Sequence, residues 1–159
     1  MAQPASKPVA LSEEWHEKAV TRCAERGARL TPSRLAAYTE LVNSDQPLTA
    51  YELVARLEDR KGKKVAPLTV YRHLDFLIGV GLVHRLESKQ SYLPCSLGEH
   101  SHDSPYLLCS SCGKVDELDA SRVTQLLSSL AEERAFTLAS SVIELSGVCA
   151  DCESAGPSA

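Results

Sequence analysis

A chain of 159 residues, 43% hydrophobic and 24% charged, has material for one domain or two small ones. Its apolar runs fall well short of the roughly 20 residues that span a bilayer, and its first ten residues lack the apolar core and cleavage pattern of a secretory signal. The expectation is a cytoplasmic protein with no membrane partner, whose six cysteines serve as metal ligands or reduced thiols rather than disulfides. The net charge of −4 is unevenly spread: residues 1–95 carry 14 Lys and Arg against 11 Asp and Glu, and residues 96–159 carry 3 against 10. Most of the basic excess lies in Arg56, Arg60, Lys61, Lys63, Lys64 and Arg72. Such a run is either a solvated face or a phosphate-binding surface on the N-terminal half.

Ser12 is placed to cap a helix with Glu13 and Glu14 in its first turn, and Gly27 is placed to end it. Thr31 and Pro32 read as the cap and first residue of a second helix, with Leu35, Tyr38, Leu41 and Val42 at helical spacing. Thr49 and Glu52 form a capping box ahead of Leu53, Val54 and Leu57. A basic turn, Arg60 to Lys64, leads to a helix from Pro67 to about Gly79 with Val70, Leu74, Leu77 and Ile78 on one face. Leu82 to Leu86, a polar turn at residues 87–90 and Ser91 to Leu93 read as a hairpin. The last three of these helices and the hairpin, with a basic approach to the last helix, describe a winged helix-turn-helix, whose final helix is sized for a major groove about 12 Å wide. A small helical domain with an incidental basic loop is the competing reading.

In the C-terminal third, residues 105–108 and 115–118 read as short strands flanking Cys109-x-x-Cys112-Gly113. Val123, Leu126, Leu127, Leu130 and Ala131 mark an amphipathic helix. Residues 136–145 read as a strand leading into Cys149-x-x-Cys152. This order suits a small α/β domain. Four thiolates in two close pairs are what a tetrahedral zinc site needs. The pairs are 36 residues apart, more than the 15–20 or so of a zinc ribbon, so a helix and a strand must fit between them. A redox pair or a disulfide is the alternative, although a thioredoxin-like motif would open a helix, whereas Cys112 is followed by Gly113, Lys114 and a strand.

Four further soft or titratable groups, His84, Cys95, His100 and His102, lie between the halves, and Glu117 follows the first cysteine pair. Their clustering predicts a second metal site. Cys23 and Trp15 read as core, His16 reads as exposed, and His73, on the helix from Pro67, reads as facing DNA or solvent rather than as a ligand.

The runs Arg29 to Arg34 (RLTPSR), Thr69 to Arg72 (TVYR) and Leu82 to His84 (LVH), together with the Cys109, Cys112, Cys149, Cys152 frame, resemble the ferric uptake regulator family of bacterial metal-sensing repressors over roughly residues 12–152. Ala50 to Leu53 (AYEL), Tyr71 to Leu77 (YRHLDFL), Gly81 to His84 (GLVH) and Ser91 to Cys95 (SYLPC) are most similar to its zinc-sensing members. The resemblance implies an α+β fold: a winged helix-turn-helix DNA-binding domain at 10–94, a hinge at 95–104, and a small α/β dimerisation domain with structural zinc at 105–153. It implies a homodimer that binds a palindromic double-stranded DNA operator and represses zinc uptake genes, with two Zn2+ per chain. Cys109, Cys112, Cys149 and Cys152 would hold the structural ion, and His84, Cys95, His102 and Glu117 the regulatory one. By the same resemblance Arg29 reaches the minor groove, and Tyr51, Thr69, Tyr71 and Arg72 lie near bases or phosphates.

Iron-sensing members carry a dense His/Asp run just before the first cysteine pair. Here Ser104, Pro105 and Tyr106 occupy that place, which weakens the iron- and peroxide-sensing alternatives. A manganese sensor and a thiol-disulfide oxidoreductase are the other competing readings. No Ser/His/Asp set, phosphate loop or paired catalytic carboxylates stands out, so no enzyme is expected.

Overall fold

The computed structural model describes residues 11–96, 105–118 and 121–155. The chain divides into two compact units, Met1–Cys95 and Ser96–Ala159.

Unit 1 begins with α1 (Glu13–Glu25) and α2 (Pro32–Val42). Ser12 takes the cap position of α1 but makes no side-chain capping bond. After α1, Gly27 adopts φ +58° and the Ala28 N–H returns to the Cys23 carbonyl at 2.8 Å. That left-handed step is one a glycine takes without strain. Thr31 caps α2 through the Arg34 N–H at 3.4 Å, with Pro32 in the first turn where its missing N–H costs nothing. β1 (Leu48–Thr49) precedes α3 (Ala50–Lys61), whose capping box is complete. The Thr49 N–H donates to Glu52 at 2.7 Å, and the Glu52 N–H donates to the Thr49 hydroxyl at 3.2 Å. α4 (Pro67–Gly79) follows, then β2 (Val83–Leu86) and β3 (Ser91–Pro94).

β1, β3 and β2 form an antiparallel sheet in that order, with Leu48 opposite Tyr92 and His84 opposite Leu93. The helices pack on it through residues at helical spacing: Ala19 and Cys23, Ala37, Tyr38 and Leu41, Leu53 and Leu57, and Val70, Leu74 and Leu77 are all buried. Each large apolar side chain removed from water contributes about 1.5–3 kcal/mol. Trp15 of α1 closes one side, its ring edge-on to Tyr38 at 6.2 Å. The result is the winged helix expected from the sequence. The two-residue β1 is an addition that the sequence does not announce.

Unit 2 contains β4 (Tyr106–Cys109), β5 (Val115–Glu117), α5 (Ser121–Glu132), β6 (Glu144–Gly147) and α6 (Ala150–Ala155). The sheet order is β5-β4-β6, with β5 antiparallel and β6 parallel to β4. The sequence expectation of one strand over residues 136–145 is corrected: only Glu144–Gly147 is strand, and Phe136 is exposed. A β-branched run needs a neighbour to satisfy its N–H and C=O groups. β4 offers four residues, so β6 forms only opposite Tyr106–Cys109. α6 was not expected from the sequence.

Candidate functional site

The first cysteine pair stands on the loop between β4 and β5. Gly113 takes φ +76° while its N–H bonds the Cys109 carbonyl at 3.0 Å, folding the loop so that Cys112 returns toward Cys109. The second pair lies between β6 and α6. Parallel pairing places Gly147 opposite Cys109, and the Ser110 N–H donates to the Gly147 carbonyl at 2.8 Å. The ladder therefore delivers Cys149 to the first pair.

All four cysteines are free thiols, and their sulfurs lie within 4.8 Å of one another. Cys112 Sγ and Cys149 Sγ are 3.7 Å apart. Four sulfurs at about 2.3 Å from a tetrahedral ion sit about 3.8 Å from each other, so the cluster has the size of a zinc site.

Its electrostatics point the same way. The backbone N–H groups of Cys112 and Cys149 draw the Cys109 thiol down to about 6, and the Cys149 N–H lies 3.3 Å from the Cys109 sulfur. Cys152 is pushed up to about 12, first by its hydrogen bond with Cys149, then by the one with Cys112 and by burial. Crowded sulfurs share their protons because adjacent negative charges repel, and a divalent cation removes that conflict. The second pair sits between a strand and a helix, as a redox pair would, but its sulfurs face the first pair.

In unit 1, His84 and Cys95 are buried on the wing hairpin. The Cys95 N–H bonds the Leu82 carbonyl at 2.9 Å, which extends the β2–β3 ladder by one step. Cys95 is then diagonal to His84 on one face of the ribbon, where side chains two positions apart reach each other. Their ligand atoms lie within 4.8 Å, close enough to share an ion through nitrogen and sulfur. Lys18 of α1 donates to the Cys95 carbonyl at 2.5 Å, a contact without a sequence signal. In unit 2, Glu117 on β5 accepts from the Ser96 N–H at 3.2 Å and from its hydroxyl at 2.9 Å. His100 and His102 lie outside the described residues.

Tyr51 opens α3 and is 83% exposed. Thr69, Tyr71 and Arg72 are exposed on the first turns of α4, and Arg29 is exposed on the loop before α2. Val70, Leu74 and Leu77 turn inward, so the period of the helix presents the polar side outward. The basic run is less uniformly available than its composition suggests. Arg60 bonds Glu40 at 3.0 Å, and Lys64 lies 3.7 Å from Glu58. His73, half-buried on α4, is held below the usual histidine value by burial and then by Lys61 and Arg34. Cys23 is buried packing, and that burial raises its thiol.

A winged helix followed by a four-cysteine α/β unit is the architecture of a metal-responsive regulator class, and the sequence model of the ferric uptake regulator family matches residues 25–146. The chain belongs to that family. It is 38% identical over 142 residues to the zinc uptake regulation protein of Escherichia coli (strain K12), covering 89% of this chain and 82% of that one. It is 34% identical over 131 residues to the zinc uptake regulation protein of Mycobacterium tuberculosis (strain CDC 1551 / Oshkosh), covering 80% and 97%. Its fold is similar to that of a zinc uptake regulator complexed with zinc and DNA, with TM-score 0.85, 38% identity, and 90% and 95% of the two chains covered.

Proposed function

We propose that this chain is a zinc-responsive transcriptional repressor, a cytoplasmic homodimer that binds a palindromic operator and controls zinc uptake and homeostasis genes. It is a regulator and not an enzyme. The observation that carries this reading is the similarity, over 90% of the chain, to a zinc uptake regulator complexed with zinc and DNA. The exposed strip of Tyr51, Thr69, Tyr71 and Arg72 on a winged helix supports it from the DNA side. The thiolate of Cys95 supports zinc over manganese, because soft ligands disfavour hard cations.

Residues 10–94 read DNA, 95–104 act as the hinge and 105–153 form the dimerisation domain. Dimerisation is supported by α5, which buries none of its residues within its own chain and leaves Val123, Leu126 and Leu130 exposed. Apolar side chains in such number on one helix call for a covering surface. Each chain takes two ions, one structural on Cys109, Cys112, Cys149 and Cys152, and one regulatory on His84, Cys95, His102 and Glu117.

The regulatory set draws on both units, so a cation bound there supplies a cross-link between them. His84 and Cys95 hold their share on the rigid wing ladder, and Ser96 orients the Glu117 carboxylate. With both reading helices held at half-site spacing, each reinforces the other on a two-fold operator. Moving a population from 1:99 to 99:1 takes about 5.5 kcal/mol of differential affinity, which is within the roughly 10–16 kcal/mol released by structural zinc sites.

The test is metal content per chain combined with operator titrations in zinc, ferrous iron and manganese. Two zinc ions per chain and binding that follows zinc alone are expected. Equal or tighter DNA binding with iron or manganese would overturn the zinc assignment.

A further inference from the structure

Arg34 lies in the first turn of α2, half-buried, and makes two contacts that tie separate parts of unit 1 together. Its Nη1 donates to the backbone carbonyl of Arg29 at 2.6 Å. Its guanidinium carbon sits 3.6 Å from the centroid of the Phe76 ring on α4. The first contact fixes the main chain from which the exposed Arg29 side chain projects. The second fixes the guanidinium against the helix that carries Tyr71 and Arg72. A planar, always-charged fork can do both at once, stacking on an aromatic face while donating in its own plane.

The loop between α1 and α2 is also held by the Ala28 N–H on the Cys23 carbonyl, by the Thr31 cap and by Ala28 and Leu30, which pack on the core. Arg29 lies between those anchors. The Arg34 bond ties the Arg29 backbone to a side chain that stacks on α4.

We propose that Arg34 is a positioning residue that sets the place of Arg29 relative to the α4 reading helix, so that minor-groove and major-groove contacts are made in one register. The assignment rests on the DNA-binding reading above and adds a specificity determinant to it. Arg34 acts through Arg29 and is not itself a phosphate ligand, since its guanidinium is stacked on Phe76 and bonded to a carbonyl.

The experiment is a double-mutant cycle on DNA binding, using duplexes that the zinc-loaded wild-type protein selects from a random pool. Arg34→Lys keeps the charge and removes the planar stack, while Phe76→Leu removes the stack from the other side without touching charge. Each is expected to weaken binding by roughly tenfold in the wild-type background and by less than about twofold in an Arg29→Ala background, the non-additivity expected of groups that act as one. Discrimination between A·T and G·C at the base pairs protected by Arg29 falls with either variant, while the dependence on salt stays that of the wild type. A purely structural role would weaken binding equally in both backgrounds, and that result overturns the assignment. A direct phosphate role would leave Phe76→Leu without effect on binding, and that result overturns it as well. A wild-type protein that selects no duplex overturns the functional reading together with this one. A wild type that binds, with losses persisting in Arg29→Ala, overturns this one alone.

Discussion

The backbone N–H of Cys149 meets the sulfur of Cys109 at 3.3 Å, so the second cysteine pair is tied to the first by the main chain as well as by any shared ion. Parallel pairing of β6 with β4 is what brings them together. Among its described residues, unit 2 therefore rests on four sulfurs and the two short ladders of β4, with little apolar core: Tyr106 and Leu108 are among the few buried large side chains. Cys112→Ser is expected to remove one zinc per chain and to unfold or monomerise this unit. Structural zinc contributes about 10–16 kcal/mol in small metal-held peptides, against a net stability of about 5–15 kcal/mol for a whole domain. Metal analysis and sedimentation check this. A stable dimer that has lost that zinc would remove the structural assignment.

The capping box of α3 sets a pH dependence in unit 1. The Thr49 N–H and then the Thr49 side chain hold Glu52 below its ordinary 4.5. A carboxyl lowered in the folded state contributes stability that is present above the unfolded value and is lost as pH falls through the folded one. The group is mostly solvated, so the contribution is under about 1 kcal/mol. Wild type should exceed Glu52→Gln in urea resistance above pH 4.5, and the gap should close at lower pH. Trp15, the single tryptophan, reports unit 1 by fluorescence. A gap that stays constant with pH would contradict the assignment.

The elements that the sequence announces are those specified by local chemistry. Thr49 and Glu52 cap within one turn, Pro32 and Pro67 set helix starts, Gly27 supplies a left-handed step, and each Cys-x-x-Cys unit closes on itself. What it does not announce depends on distant partners. Residues 136–143 have the composition of a strand, but β4 supplies no ladder for them. β1 is two residues long and exists only because Tyr92 and Ser91 lie opposite. At the candidate sites, the four-cysteine frame is legible from spacing and the grouping of His84 with Cys95 from their clustering, while the contacts that support them are not. Lys18 reaches the Cys95 carbonyl across 77 positions, and Arg34 stacks on Phe76 from another helix. Neither contact has a period or a motif.

The basic residues should separate by their partners. Each phosphate neutralised on duplex DNA contributes about 0.9 to the slope of log affinity against log salt. Arg60 is engaged by Glu40 at 3.0 Å, whereas Lys63 stands exposed on the turn beside Gly62. Lys63→Gln is expected to reduce the slope by about one, and Arg60→Gln to leave it nearly unchanged. Equal reductions would mean that the Glu40 pair opens on DNA.

Arg72 projects from the first turns of α4, opposite the buried Val70, Leu74 and Leu77. A base contact made there is worth about 1–3 kcal/mol of discrimination. Arg72→Ala should therefore lower affinity for the selected operator more than for random duplex. Equal losses on both would make Arg72 a phosphate contact.

On the proposed assignment, Cys95 separates the sensing role from the structural one. It is buried at the end of the wing ladder beside His84, in a different unit from the four clustered cysteines. Cys95→Ser keeps the size of the side chain and the Leu82 backbone bond, and replaces a thiolate ligand by a hydroxyl that zinc holds poorly. The variant is expected to remain a folded dimer with one zinc per chain. Its zinc-dependent operator binding should weaken by at least about tenfold, or 1.4 kcal/mol. His84→Ala should act in the same direction, because it removes a second proposed ligand of the same site. Zinc titrations of operator binding, read beside metal content, distinguish the two sites: loss of one zinc with loss of response marks the regulatory ion, and loss of one zinc with loss of the dimer marks the structural one. Unchanged zinc dependence in Cys95→Ser would remove Cys95 from the regulatory set and leave the wing without its sulfur ligand.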